Sequence, residues 1–254
     1  MKRIECLGSL ALATALVWAA GCATQMAKPA SQPAARHEEP AANAESKITL
    51  PLGVAQPPAP FEGEGWQAIF DGQTLAGWRE IPFAGHGEVH CQSGVVVLGM
   101  GDPFTGIIWT NDFPKLNYEV ALDAMRLMGS DFFCALTVPV GDTFCSLIVG
   151  GWGGSLIGIS SLDGMDASEN ETTKFTSFES GRWYRIRLRV TEKKIEGWID
   201  KDKLINVVTT GKRISVRAGD IELSEPFGLA AWQTTAALRE IKFRRVTGPA
   251  GKGE

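Results

Sequence analysis

Histidine and tyrosine are scarce in this 254-residue chain: three of the first and two of the second, against eight tryptophans and twelve phenylalanines. The aromatic weight therefore lies in groups suited to a filled core. Basic excess is also missing. The formal charge is −4 for the whole chain and falls by one more when Lys2, Arg3 and Glu5 are set aside with the leader discussed below. That balance argues against a dedicated nucleic-acid binder. No window carries a sustained helical stripe with caps, apart from a short turn read over Thr234 to Leu238, so helical fold classes are disfavoured. Gly150-Gly151-Trp152-Gly153-Gly154 is not a phosphate loop, because no Lys-Ser/Thr follows it and no helix is signalled. It reads instead as a hairpin connection between Phe144–Val149 and Ser155–Ser160, with Trp152 exposed at its tip.

The five cysteines do not make a disulfide framework. Cys6 leaves with the leader and Cys22 is assigned to lipid, as argued below, which leaves Cys91, Cys134 and Cys145. A two-residue hairpin turn within Pro139-Val140-Gly141-Asp142 sets Cys134 and Cys145 on one face but on a diagonal. Diagonal Cβ atoms lie roughly 7 Å apart, beyond disulfide reach. Small buried hydrophobes are the expected role for these thiols, and a register slip would reopen the question.

The chain opens with a positive Lys2-Arg3, then an apolar Leu7 to Val17 too short to span a bilayer, then Ala19-Ala20-Gly21-Cys22. Small residues directly before a cysteine resemble a bacterial lipobox. The expectation is a lipoprotein signal peptide over residues 1–21, with Cys22 lipidated and holding the protein to the cell envelope, at the outer membrane or a periplasmic face. An ordinary signal peptide with Cys22 incidental is the alternative. Residues 22–60 are rich in Ala and Pro and read as a flexible tether. Residues 61–247 are one domain's worth of chain, and 248–254 a disordered tail.

Within the domain nearly every structured stretch has period two. Tyr118, Val120, Leu122 and Ala124 alternate with Asn117, Glu119, Ala121 and Asp123. Tyr184, Ile186, Leu188 and Val190 alternate with Arg185, Arg187 and Arg189, and the arginines read as a solvated strand face. Ile195, Gly197 and Ile199 alternate with Glu196, Trp198 and Asp200. Turn pairs such as Ser93-Gly94, Asp163-Gly164 and Ser180-Gly181 separate these runs. Short strands without intervening helices predict an all-β sandwich of two antiparallel sheets.

The stretch Gly65-Trp66-Gln67-Ala68-Ile69-Phe70-Asp71-Gly72-Gln73-Thr74-Leu75-Ala76-Gly77-Trp78 resembles the opening of the 3-keto-disaccharide hydrolase domain family. Ser130-Asp131-Phe132-Phe133, Gly181-Arg182-Trp183-Tyr184-Arg185-Ile186, Gly228-Leu229-Ala230 and Leu238-Arg239-Glu240-Ile241 resemble its later strands. The resemblance implies a concanavalin-like jelly roll whose first and last strands pair, with Ile69 and Phe70 near Ile241 and Phe243. It also implies a hydrolase acting on oxidised, 3-keto sugars. Two family motifs are replaced. Where relatives carry Gly-Tyr-Glu, this chain has Thr143-Phe144-Cys145-Ser146; where they carry Gln-Asp-His, it has Trp232-Gln233-Thr234.

The remaining candidates are local. His86, Glu88 and His90 stand at i, i+2 and i+4 and project from one face if extended, a geometry that could hold Zn²⁺ or supply a base. Asp166, Glu169 and Glu171 lie in an acidic loop after Asp163-Gly164, which could bind Ca²⁺ or provide paired carboxylates. A polar strand face and a solvated loop are the respective alternatives. Trp152, Trp198 and Trp232 are candidate stacking platforms for a pyranose, with Gln233 and Asn170 as polar neighbours. Three functions follow as expectations: an enzyme cleaving 3-keto glycosides, a non-catalytic carbohydrate-binding module, and a structural envelope lipoprotein.

Overall fold

The computed structural model describes residues 57–246. The signal segment, Cys22, the tether up to residue 56 and the tail from 247 lie outside the described residues. Strands run in the order β1 (Gln67–Ala68), β2 (Trp78–Glu80), β3 (Val89–Gln92), β4 (Val95–Leu98), β5 (Phe104–Trp109), β6 (Tyr118–Gly129) and β7 (Cys134–Val140). They continue as β8 (Thr143–Gly151), β9 (Leu156–Ser160), β10 (Lys174–Phe175), β11 (Tyr184–Val190), β12 (Lys194–Ile199), β13 (Asp202–Val208), β14 (Gly228–Trp232) and β15 (Thr234–Arg245).

The first sheet has the order β13-β12-β11-β6-β15-β4-β3, with β1 also pairing β15, and the second has β10-β9-β8-β7-β14-β5-β2. All pairings between these strands are antiparallel. The inner faces meet in one apolar core that draws Val120, Leu122, Ile186 and Leu238 from the first sheet and Leu136, Leu147, Ile157 and Leu229 from the second. This is the sandwich that the alternation predicts.

The opening motif is a small self-contained device. Asp71 accepts from the amides of Gln73 and Thr74, each at 2.7 Å, and from the Thr74 hydroxyl at 2.6 Å, closing the turn. Trp78 then turns inward and donates its indole N–H to the Ile69 carbonyl at 2.7 Å. Gly77, at φ +80°, leaves room for the Trp109 ring, which a Cβ would meet at 2.6 Å. Ends of the domain pair as expected: Gln67 faces Phe243, Ala68 faces Lys242, and the Ile69 amide donates to the Ile241 carbonyl.

Four local readings change. Thr234 to Leu238 is strand, not a turn of helix. A bulge between Arg239 and Lys242, with Glu240 at φ +53°, shifts the inward parity from Ala236 and Leu238 to Ile241. The bulge leaves Leu238 and Ile241, three residues apart, both in the core. A short 3-10 helix over Asp220–Ser224, unsignalled in the sequence, packs Ile221 onto the outer face of the second sheet.

The cysteine hairpin turns on Gly141-Asp142, so Val140 pairs Thr143, Cys134 faces Val149 and Cys145 faces Val138. The two thiols share the core but sit four residues apart along the ladder, not on a diagonal. They are free, as is Cys91, and burial pushes the Cys134 and Cys145 pKa values up to about 12.

The arginine face is not simply solvated. Glu119 is wholly buried on the outer face of the first sheet and accepts from Arg189 at 2.8 Å and from Arg244 at 2.6 Å, with Arg187 at 3.5 Å. Asp123, also buried, receives Arg185 at 2.5 Å and Arg239 at 3.2 Å. Aromatic rings cap the cations: Arg187 lies 4.0 Å over Trp198, Arg239 4.1 Å over Trp183, and Arg244 4.6 Å over Trp66.

Candidate functional site

The outer face of the second sheet is built from alternate residues of β5, β7, β8, β9 and β14. Here Thr137 and Ser146 occupy its middle, both buried, their hydroxyls 2.8 Å apart and satisfying one another. Ile81, Phe83, Ala167, Val216 and Ile221 cover the strands with apolar side chains, joined by Phe104, Ile108 and Ile148 from the sheet itself. The centre of this face is therefore closed and greasy.

One end stays open. A cavity of about 520 Å³ is lined by Phe104, Asp131, Phe132, Ile148, Trp152, Ser160, Asp166, Arg217 and Trp232. Larger grooves of about 780 and 660 Å³ lie over the arginine-rich face, where Arg187, Arg189 and Arg244 are paired with Glu119, Arg185 with Asp123 and Arg182 with Asp200. The 520 Å³ cleft alone among these brings two indoles beside an acid and a base.

Its walls are built from specific features of the chain. Trp152 sits at φ +48° in the turn after β8 and is 43% exposed, which leaves its ring free for a partner. Arg126, buried on β6, donates to the carbonyls of Asp131 at 3.1 Å, Gly150 at 3.3 Å and Gly154 at 2.9 Å. Burial lowers its guanidinium pKa, with Asp131 opposing the shift. The glycines are explained by this staple: a Cβ on Gly150, at φ +80°, would meet Arg126 at 2.7 Å and Phe133 at 2.9 Å. Asp131 fixes the tip further, accepting from the Phe132 amide at 2.8 Å and the Gly153 amide at 3.2 Å.

Across the cleft, Trp232 ends β14 and packs edge-on against Phe104 with ring centroids 4.5 Å apart. Asp166 accepts from the Ser160 hydroxyl at 2.5 Å and the Ala167 amide at 2.7 Å, and pairs with Arg217 at 2.7 Å. The carboxylate is largely shielded while the guanidinium is 63% exposed, so Arg217 presents its remaining N–H groups to the opening.

Of the residues singled out in the sequence, Trp152, Trp232 and Asp166 come together here. The others do not line the cleft. Asn170 is a loop staple: its amide donates to the Ile159, Met165 and Asp166 carbonyls while its oxygen accepts from Thr172. Glu171 turns to Lys212 at 2.9 Å, and Glu169 is exposed. Trp198 projects outward, as its parity predicts, but lies on the first sheet beneath Arg187 and Lys203. Gln233 is exposed at φ +44°, its amide bonded to the Pro103 carbonyl.

His86 lies in the loop before β3, its ring at 3.0 Å from the Gly87 carbonyl, and His90 lies 3.7 Å from Glu88 on an edge strand. Among the described residues no three His, Cys, Asp or Glu side chains gather to hold a metal ion. Asp131, Ser160 and Arg217 join the cleft without having been singled out. Asp131 sits in a recognisable motif, whereas no periodicity or pairing marks Arg217.

A family model described as a 3-keto-alpha-glucoside-1,2-lyase-like domain matches residues 65–246. The chain belongs to that family. The match spans the sandwich from the opening Gly-Trp segment to the last strand. No curated protein is similar enough in sequence to match. Among solved structures, carbohydrate-binding module CBM66 from Bacillus subtilis is 12% identical over 66% of this chain and 95% of its own, at a TM-score of 0.46. Domain 4 of the arabinanase AbnA from Geobacillus stearothermophilus is 12% identical over 66% of this chain and 82% of its own, at 0.44.

Proposed function

We propose that this protein binds a saccharide in the cleft beside Trp152 and Trp232. An indole face packs well against the C–H face of a pyranose, and a few convergent polar groups fix the ring's orientation. Ser160, Asp166 and Arg217 supply those groups. The observation that carries the reading is the pairing of the two indoles and the Asp166–Arg217 ion pair around one opening of about 520 Å³. The closed, acid-free centre of the same face favours binding without turnover. Calorimetry with a panel of neutral glycans tests this, and no heat from any of them with the folded protein would end it.

Family membership favours a second reading, cleavage of 3-keto glycosides. A ketone at C3 acidifies the C2–H. On this reading the Asp166 carboxylate removes that proton, the C1–O bond breaks, and the departing oxygen takes a proton from water while Arg217 polarises the ketone. Incubation with 3-keto-trehalose decides it: product formation that Asp166→Asn abolishes supports turnover, and none from the wild type removes it.

Anchorage to the cell envelope through a lipid on Cys22 rests on the sequence of the first 22 residues. Fractionation checks it: Cys22→Ala should move the protein from membrane to soluble fractions, and an unchanged distribution would rule the anchor out.

A further inference from the structure

The two indoles belong to a longer row. Cross-strand partners in antiparallel pairs project from the same face, and the register joins one position on each of five strands in two sets, with Phe132, just before β7, between them. Trp232 on β14 pairs Phe104 on β5, and its amide donates to the Phe132 carbonyl beside β7. Gly151, the last residue of β8 and the neighbour of Trp152, pairs Leu156 on β9, which in turn pairs Phe175 on β10. Phe104, Phe132, Leu156 and Trp232 share one apolar cluster on the outer face, which fixes the side of the sheet.

Phe175 is 70% exposed at the sheet's edge, the most exposed large hydrophobic side chain among the described residues, and Trp152, after β8, is 43% exposed between it and Trp232 in the sheet order. From β14 to β10 the sheet order gives four strand steps, a line of about 19 Å at ~4.8 Å per step.

We infer that this row is an extended binding track for a linear, uncharged oligosaccharide of about four units, entering the cleft at Trp232 and leaving over Phe175. The inference rests on the saccharide-binding reading above and adds the length and charge class of the ligand. A glycosyl unit in an extended chain advances by close to one strand spacing, so about four units span the row and rest on its accessible aromatics, Trp232, Trp152 and Phe175, above the buried Phe132 and Leu156. Charge matching selects a neutral chain. Asp166 is paired with Arg217, and both Asp131 oxygens are engaged by backbone amides. Asp220 also lines the cleft, exposed and without an ion pair among the described residues, so a polyanion would meet three carboxylates against the single guanidinium of Arg217.

The test uses the full chain and calorimetric titration with cello-, xylo-, manno- and malto-oligosaccharides of increasing length, from disaccharide to hexasaccharide. In whichever series binds, affinity should rise with length and level off near four units. Phe175→Ala should lose about three- to tenfold for the longer chains and leave the disaccharide unchanged. Trp152→Ala should weaken every length. Phe175 is exposed, so its truncation leaves the core intact. Affinity independent of length, or Phe175→Ala without a length-dependent effect, overturns the track while leaving the cleft reading standing. Binding of no series at any length removes the cleft and the track together. A change in oligomeric state on Phe175→Ala, with glycan affinities unaltered, assigns Phe175 to a contact between copies and overturns the track.

Discussion

Arg126, on the strand that runs through the middle of one sheet, donates to the Gly154 carbonyl at the hairpin tip of the other at 2.9 Å. The Gly150 and Gly154 carbonyls it holds lie on either side of Trp152, so the platform for the proposed ligand is positioned by a residue of the opposite sheet. Arg126→Ala would leave those carbonyls buried without a donor. A stability loss of about 3 kcal/mol is expected by chemical denaturation, with weaker glycan binding even though Trp152 is present. Unchanged affinity in the folded variant would show that the hairpin keeps its shape without the staple.

Glu119 is the wholly buried partner of Arg187, Arg189 and Arg244. Removing its charge leaves guanidinium groups crowded without an anion. Glu119→Gln should destabilise the domain by about 3–5 kcal/mol, read as a lower denaturation midpoint. A loss under about 1 kcal/mol would mean that the face behaves as an ordinary surface ion-pair set.

The opening turn should titrate. Hydrogen bonds from Thr74 and Gln73 hold the Asp71 carboxyl below its ordinary 3.8. A depressed folded-state value means stability that is present above the unfolded pKa and lost as pH falls through the folded one. Asp71→Ala should therefore cost stability at pH 7, and the gap to the wild type should close as pH drops below about 3.8. A gap of constant size from pH 7 to pH 2 would contradict this.

Burial pushes the Cys134 and Cys145 thiols up to about 12. Neither should be alkylated in the native protein at pH 8, and both should react once it is unfolded. Peptide mapping by mass spectrometry checks both positions, and a Cys134–Cys145 disulfide recovered from the native protein would refute the register found here.

Sandwich, strand parity and end-to-end pairing were legible because period-two alternation with one buried face leaves little freedom in register. Tyr184 to Val190 illustrates this, with every other side chain buried. The bulge at Glu240 was not legible, since a positive φ at a charged residue leaves no pattern behind it. Half of the cleft could be read: Trp152 from its glycine-flanked turn, Asp166 from its acidic loop, Trp232 from a substituted motif. Arg217 could not, because it approaches Asp166 from more than fifty positions along the chain, through a segment without periodicity. The arginines at 185, 187 and 189 misled for a related reason. Their alternation showed which way they point but not that Glu119 and Asp123 wait beneath them on the neighbouring strand.

The segment Ala59 to Phe61 packs on the outer face of the first sheet. Ala59 gives its carbonyl to Arg185 at 2.9 Å, and Phe61 is held between Arg185 and Lys242, all on the face away from Trp152 and Trp232. The two outer faces thus divide their work: one clamps a stretch of the chain itself between cations, and the other keeps its indoles uncovered.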